Sequence, residues 1–425
     1  MAVILISLAL LLILRVPVGF CLMLSAVSYI FYVGNIPWAI MTQRLVAGLD
    51  CFTLMAVPFF ILAGKFMNAA KITDRLFDFA RALVGHIPGG LGHANIVASI
   101  FFAGMSGAAV ADAGGLGSIE IEAMKKDGYA ADYAGAVTAA SSTIGPIIPP
   151  SIPMIVFAVF AETSVAALFA AGIIPGLIMG LFLMILVYRH AIGKGIKRHP
   201  MISFFGLWRA FFSAIPPLLT PLILVGGIMG GFFTPTEAGA VAALYSLILG
   251  AFFYKTLDLP KIKEVILDSA WTTATVMLIA MAASLFAYVI TLEKIPVIAG
   301  ELILSLTDNK YLIFLIINIF LLFVGCFLEP VSAMIILIPV FIPLCRQMDI
   351  SMIHFGVLMV LNLMIGLLTP PVGLVLYVVS DVANVPFERL VRTTFPFLLP
   401  LLICLAIVTY FEDVCLWLPR LLGLV

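Results

Sequence analysis

Long apolar runs, separated by short polar or basic stretches, occupy nearly all of the 425 residues. A helix needs about 20 apolar residues to cross the hydrocarbon of a bilayer. The pattern therefore predicts an all-α polytopic membrane protein with room for about a dozen spans. Two places do not suit an unbroken span. Ile144-Gly-Pro-Ile-Ile-Pro-Pro-Ser151 and Ile365-Gly-Leu-Leu-Thr-Pro-Pro-Val372 both lie inside apolar stretches, with their Pro-Pro steps 221 residues apart. Proline removes an amide donor and clashes with the preceding turn, and glycine loosens the backbone. Backbone groups freed at membrane depth are tolerated only inside protein or beside a water-filled cavity. Two matching interruptions in two halves point to the binding site of a transporter.

The offset of 221 holds without a gap from Gly104 to Pro175, pairing Gly104 with Gly325, Gly135 with Gly356 and Pro175 with Pro396. Of ten identities over these 72 positions, six are glycine or proline, residues whose identity is dictated by backbone geometry. This is the signature of an internal duplication. The first repeat spans 1–188, with a glycine-rich re-entrant hairpin at about 90–127 and a broken helix at about 130–161. A basic connector at 189–209 is read as cytoplasmic. The second repeat spans 210–425, with a hairpin at about 311–346 and a broken helix at about 351–380. Met1 to Leu14 lacks the basic start of a signal peptide and reads as a first span. Lys261 to Ser269 reads as an interfacial connector.

Charge sets the orientation. All but five of the 22 Lys and Arg (Arg44, Lys294, Lys310, Arg346 and Arg420) fall on one side of this topology, as the positive-inside rule demands of a cytoplasmic face. The two hairpins then enter from opposite sides, so the repeats are inverted, as in many secondary transporters. Both termini are expected outside. Hydrophobic residues make up 64% and charged residues 10% of the chain, which leaves no room for a soluble domain. With a net charge of zero, nothing suggests a nucleic-acid partner. The six cysteines and five histidines have no metal-ligand spacing, and no phosphate-binding loop is present. No enzymatic chemistry or organic cofactor is expected.

A broken helix offers carbonyls at one half-helix end, suited to a cation, and amides at the other, suited to a carboxylate. Polar groups cluster there: Ser141, Ser142, Thr143 and Ser151 at the first break, opposite Ser106 and Asp112, and Asn362 and Thr369 at the second, opposite Glu329 and Ser332. We take Asp112, Ser141, Ser142, Thr143, Asn362 and Thr369 as candidate substrate residues. A hydroxyl bonded back to its own helix is the plain alternative for each Ser or Thr. Asp112 and Glu329 are carboxylates at membrane depth, where a charge is costly and functional by default; capping of the hairpin amides is the alternative.

The run Gly104-Met-Ser-Gly-Ala-Ala-Val-Ala-Asp-Ala-Gly-Gly115, with Gly145-Pro-Ile-Ile-Pro-Pro-Ser-Ile-Pro153, resembles the large membrane subunit of TRAP (tripartite ATP-independent periplasmic) transporters. Ala56-Val-Pro-Phe-Phe-Ile-Leu-Ala-Gly64, Gly85-His-Ile-Pro-Gly-Gly-Leu-Gly92 and Gly366-Leu-Leu-Thr-Pro-Pro-Val-Gly373 extend the resemblance over essentially the whole chain. It implies an elevator-type carrier in the bacterial inner membrane, driven by Na+ and importing an organic acid such as a dicarboxylate, sialic acid or another sugar acid. The implied partners are a separate small membrane subunit of about four helices and a soluble periplasmic substrate-binding protein. Carried over by position, one Na+ site uses Ser106, Gly145, Ile148 and Pro150, and the other Gly325, Glu329, Gly366 and Thr369. Ala108 stands where a second hydroxyl is expected. A stand-alone Na+/dicarboxylate symporter of the same architecture is the alternative.

Overall fold

A computed structural model gives the structure of the protein; it describes all residues except Met1, Arg15, Lys71, Gly195, 197–199 and Asp308, and leaves out the side chains of Ala2 and Ser106. The described residues are helical, with no strand. Among them, seven helices are long and apolar enough to cross a membrane, from Phe52–Ala69 to Phe387–Tyr410. That is fewer than the dozen expected from length, because hairpins and breaks divide the remaining apolar sequence into shorter pieces.

The offset of 221 brings most helices of one half onto those of the other. Thr73–Val84 matches Ile295–Leu306, and Gly90–Ser106 matches Lys310–Gly325. The broken-helix halves Ala131–Ser142 and Ile152–Phe160 match Met352–Gly366 and Leu374–Ala383, and the closing helix Val165–Lys194 matches Phe387–Tyr410. One departure stands out. The second arm of the second hairpin is continuous over Pro330–Gln347, whereas its counterpart is split at Gly115 into Ala109–Gly114 and Leu116–Lys126.

Ends of these helices follow local rules. Thr234 and Glu237 form a capping box at the start of Pro235–Ile248, and Asp258 accepts from the Lys261 amide at 3.0 Å. The Asp258 cap, with Pro260 in the first turn, starts one helix that runs unbroken over Leu259–Leu292. The interfacial connector expected at Lys261 to Ser269 is therefore the first turns of a long helix of about 51 Å. At the N-terminus, Ala2–Ile13 is about 18 Å long, shorter than the hydrocarbon by itself, and packs on Val18–Val33.

The two broken helices lie antiparallel: Ala131–Ser142 packs on Leu374–Ala383, and Ile152–Phe160 on Met352–Gly366. Their contacts are reciprocal. A Cβ on Gly135 would meet Leu390, Val379 and Ala383 at 3.0–3.4 Å, and one on Gly356 would meet Phe157 and Leu168 at 2.7 Å. Under the offset, Phe157 and Leu168 fall within one residue of Val379 and Leu390. Contacts of this kind, in which each copy presents the same patch to the other, define a two-fold relation. The repeats are thus inverted. Around this unit, Val18–Val33, Ala56–Ala69, Pro235–Ile248 and Leu259–Leu292 pack on one another as a second group.

Candidate substrate and ion site

At the first break, helix Ala131–Ser142 ends and the chain unwinds until Ser151 caps the next helix. The Ser151 hydroxyl accepts from the Met154 amide at 3.2 Å and donates to the Pro146 carbonyl. The Pro149-Pro150 bond is cis. Among the described residues the carbonyls of Gly145, Ile148 and Pro150 accept no hydrogen bond. The tip of the first hairpin closes on this break at Gly107. With φ of 58° and the Pro150 oxygen 2.6 Å from where a Cβ would sit, that position suits only glycine.

The second break is built on a different contact. Gly325, ending the first arm of its hairpin, lies backbone to backbone on Gly366: a Cβ on Gly366 would stand 2.5 Å from the Gly325 carbonyl carbon. The Thr369 amide donates to the Gly366 carbonyl at 3.0 Å, the Pro370-Pro371 bond is cis, and Gly373 turns the chain with φ of 59°. Helix Leu374–Ala383 then starts without a side-chain cap, and the amides of Leu374 and Val375 find no acceptor among the described residues.

Both tips and both breaks border one cavity of about 680 Å³. Its wall includes Gly107, Ala108, Glu329 and Ser332 from the tips, Pro146, Leu367 and Leu374 from the breaks, and Thr272 and Thr275 from the long helix Leu259–Leu292. This volume suits a small organic ligand. Among the described residues that line it there is no lysine or arginine.

Most of the candidate polar side chains are engaged with their own helices. Ser142 and Thr143 donate to the carbonyls of Ala139 and Ala140 at 2.9 and 2.7 Å, and Thr369 to Ile365 at 3.0 Å. Glu329 faces the cavity while its Oε2 accepts from the Ser332 amide at 2.9 Å, capping the second hairpin arm. Asp112 is buried under the first break, with Oδ2 3.9 Å from where a Gly145 Cβ would lie. The Ser106 side chain lies outside the described residues.

Ser141 and Asn362, which the offset of 221 equates, belong to matching polar clamps. Ser141 donates to Asn95 Oδ1 at 2.6 Å, and Asn95 Nδ2 donates to Thr138 at 2.7 Å. Asn362 Nδ2 donates to Asn318 Oδ1 at 2.8 Å, and Asn318 Nδ2 donates to Thr409 at 2.9 Å. In each half an asparagine of the first hairpin arm is thereby tied to the broken helix, about one turn before the break. Buried amides of this kind must be paired. The sequence reading did not single out Asn95 or Asn318. The available signal was an asparagine in each apolar arm, within two residues of equivalence.

A family description, "Tripartite ATP-independent periplasmic transporter, DctM component", matches residues 5–414. The chain is 45% identical over 405 residues to the sialic acid TRAP transporter large permease protein SiaM of Vibrio cholerae, covering 95% of both chains. It is 42% identical over 373 residues to the C4-dicarboxylate TRAP transporter large permease protein DctM of Pseudomonas aeruginosa, covering 88% of this chain and 87% of that one. The sialic acid TRAP transporter permease protein SiaT of Haemophilus influenzae is 41% identical over 410 residues, 96% of this chain and 66% of its own length. Among solved structures, the YdaH transporter of Alcanivorax borkumensis superposes with a TM-score of 0.64 over 88% of each chain, at 12% identity.

Proposed function

This chain belongs to the DctM family of large permeases of tripartite ATP-independent periplasmic transporters, and from that premise we propose that it imports an organic acid with Na+ as the coupling ion. The observation that carries the proposal is the single cavity walled by both hairpin tips and both breaks. The unpaired carbonyls of Gly145, Ile148 and Pro150 supply oxygen donors for one Na+, with Ser106 as the further ligand. Gly325, Glu329, Gly366 and Thr369 surround a second. The uncapped start of helix Leu374–Ala383 offers two free amides at the positive end of a helix dipole, where a substrate carboxylate takes the place of a cap. This accounts for recognition of an anion without an arginine among the described residues of the cavity wall.

Selectivity rests with the delivering protein, a soluble periplasmic substrate-binding protein, and the chain works beside a separate small membrane subunit of about four helices in the bacterial inner membrane. The hairpins and broken helices move together, as an elevator, against the helix group containing Leu259–Leu292. Sialic acid is the first substrate to try, because relatives at 45% and 41% identity carry its name.

The test is uptake into proteoliposomes holding this chain and its small subunit, with the binding protein outside. We expect accumulation of sialic acid only with an inward Na+ gradient and the binding protein present. A C4-dicarboxylate pair of protein and ligand forms the second arm. Uptake by this chain alone would favour the stand-alone symporter, and uptake indifferent to Na+ would remove the coupling ion.

A further inference from the structure

A second cavity, of about 420 Å³, opens between the same two helix groups at another place. The group containing Leu259–Leu292 gives it Cys51, Thr53 and Pro235; the other group gives it the end of Ile152–Phe160 and the turn Glu162–Ser164. The duplication relates its wall to that of the substrate cavity. At the offset of 221, Trp38–Ala47 and Ala56–Ala69 together fall on the single helix Leu259–Leu292. Cys51 and Leu54 then fall on Thr272 and Thr275, which line the substrate cavity. The helix-opening prolines are divided in the same way. Pro17, before Val18–Val33, lines the substrate cavity, and Pro235, opening Pro235–Ile248, lines the second one. Packing repeats the relation: Val18–Val33 lies on Leu259–Leu292, and Pro235–Ile248 on Ala56–Ala69.

The two walls stand at different depths. Lys65 donates to the Thr272 hydroxyl at 2.6 Å, which sets Thr272 level with the end of Ala56–Ala69 that leads to Arg75 and Arg81. That is the basic side, hence the cytoplasmic one. Cys51 precedes the opposite end of this helix, about 20 Å away. There Thr236 donates to the Phe52 carbonyl at 2.9 Å and joins the two parts of the second wall.

We propose that Cys51, Thr53 and the start of Pro235–Ile248 form a second fixed wall of the substrate site, which the organic acid meets when the hairpin tips and breaks face the periplasm. This rests on the transport reading above. The carboxylate travels with the breaks, and the hydroxylated remainder of the ligand meets one fixed wall at each end of the movement. Their chemistry differs. Thr272 and Thr275 donate to the carbonyls of Asp268 and Trp271 at 3.0 Å, so they meet a ligand hydroxyl as acceptors. The Thr53 hydroxyl has no partner among the described residues and is free to donate.

Cross-linking and sided kinetics test this together. Val331 and Thr272 border the substrate cavity, and their image under the offset is Val110 and Cys51. The chain with its small subunit, in proteoliposomes, carries either Val331→Cys with Thr272→Cys or Val110→Cys with the native Cys51. A flexible bismaleimide is added, and joined peptides are read by mass spectrometry. We expect both pairs to link and the parent, whose other five cysteines are buried, to give neither product. Absence of the link between Cys51 and position 110 overturns the proposal, whether or not the first pair links. Contact with the ligand is read from Thr53→Val, which keeps the side-chain shape. The half-saturating concentration of sialic acid should rise several-fold for uptake and stay unchanged when it is offered from the cytoplasmic side; Thr272→Val should do the reverse. A Thr53→Val variant that changes neither side, or both alike, overturns the wall while leaving the transport reading intact. A parent that takes up neither sialic acid nor the C4-dicarboxylate defeats the transport reading and the wall with it.

Discussion

The two breaks have the same origin and different surroundings. Pro149 and Pro150 are buried, closed over by Gly107, while Pro370 and Pro371 are exposed and Thr369 is half-buried. The acids are distributed in the opposite sense. In the first half the buried carboxylates are Asp112, beneath the break, and Glu120, on the next helix; in the second, Glu329 stands on the hairpin tip and faces the cavity, where the first half has Ala108. A duplicated backbone therefore fixes where helices break, and the side chains that each half added since decide what each break can hold. The close backbone contacts differ too: Gly366 touches Gly325, whereas Gly145 has nothing nearer than 3.3 Å to a built Cβ.

That last difference gives the largest expected effect. Gly366→Ala forces a Cβ into the Gly325 backbone at 2.5 Å, which costs about 1–3 kcal/mol or more in overpacking and should abolish transport. Gly145→Ala should leave thermal unfolding within about 1 kcal/mol of the parent. Equal melting temperatures for the two variants would break the comparison.

Next come the clamps. Asn318→Ala leaves Asn362 Nδ2 and Thr409 without their side-chain partner, and Asn95→Ala does the same to Ser141 and Thr138. Each should cost about 1–3 kcal/mol in denaturant unfolding. Ser141→Ala should cost less than Asn362→Ala, because a hydroxyl has one proton to share between its two acceptors, whereas the larger Asn362 amide donates to both the side chain and the backbone carbonyl of Asn318, at 2.8 and 3.1 Å.

Glu329→Gln retains an oxygen for the Ser332 amide, so stability should stay within about 0.5 kcal/mol while Na+-dependent uptake falls. Undiminished uptake would reduce Glu329 to a cap. The smallest effect belongs to the pair between Arg389 and Asp132, 2.8 Å apart, which joins the start of one closing helix to the start of the opposite broken helix. Its arginine is 67% exposed, and Arg389→Gln should change stability by about 0–1 kcal/mol, less still at high salt.

Much of the fold was legible because glycine and proline report backbone geometry regardless of how apolar the neighbourhood is. The breaks, both hairpins and the repeat all rest on such residues. The side chains were harder. Ser142 and Thr143 look like ligands in a sequence, yet a hydroxyl in a dry helix takes its own turn's carbonyl first. Glu120 was missed because it sits beside Glu122, Lys125 and Lys126 in a stretch that reads as a solvated helix end, although it shares the buried face of its helix with Leu116, Ile121 and Met124. Asn95 and Asn318 were missed because pairing between helices that are distant in sequence leaves no local pattern.

The prolines of the breaks have a thermodynamic consequence. Residues without an amide cannot rejoin a helical ladder, so no movement of the protein can heal these breaks by rewinding them. In the transport scheme proposed above, the backbone of the break is therefore carried unchanged across the membrane, and any preferred direction has to come from outside it, from the gradients and the delivering protein.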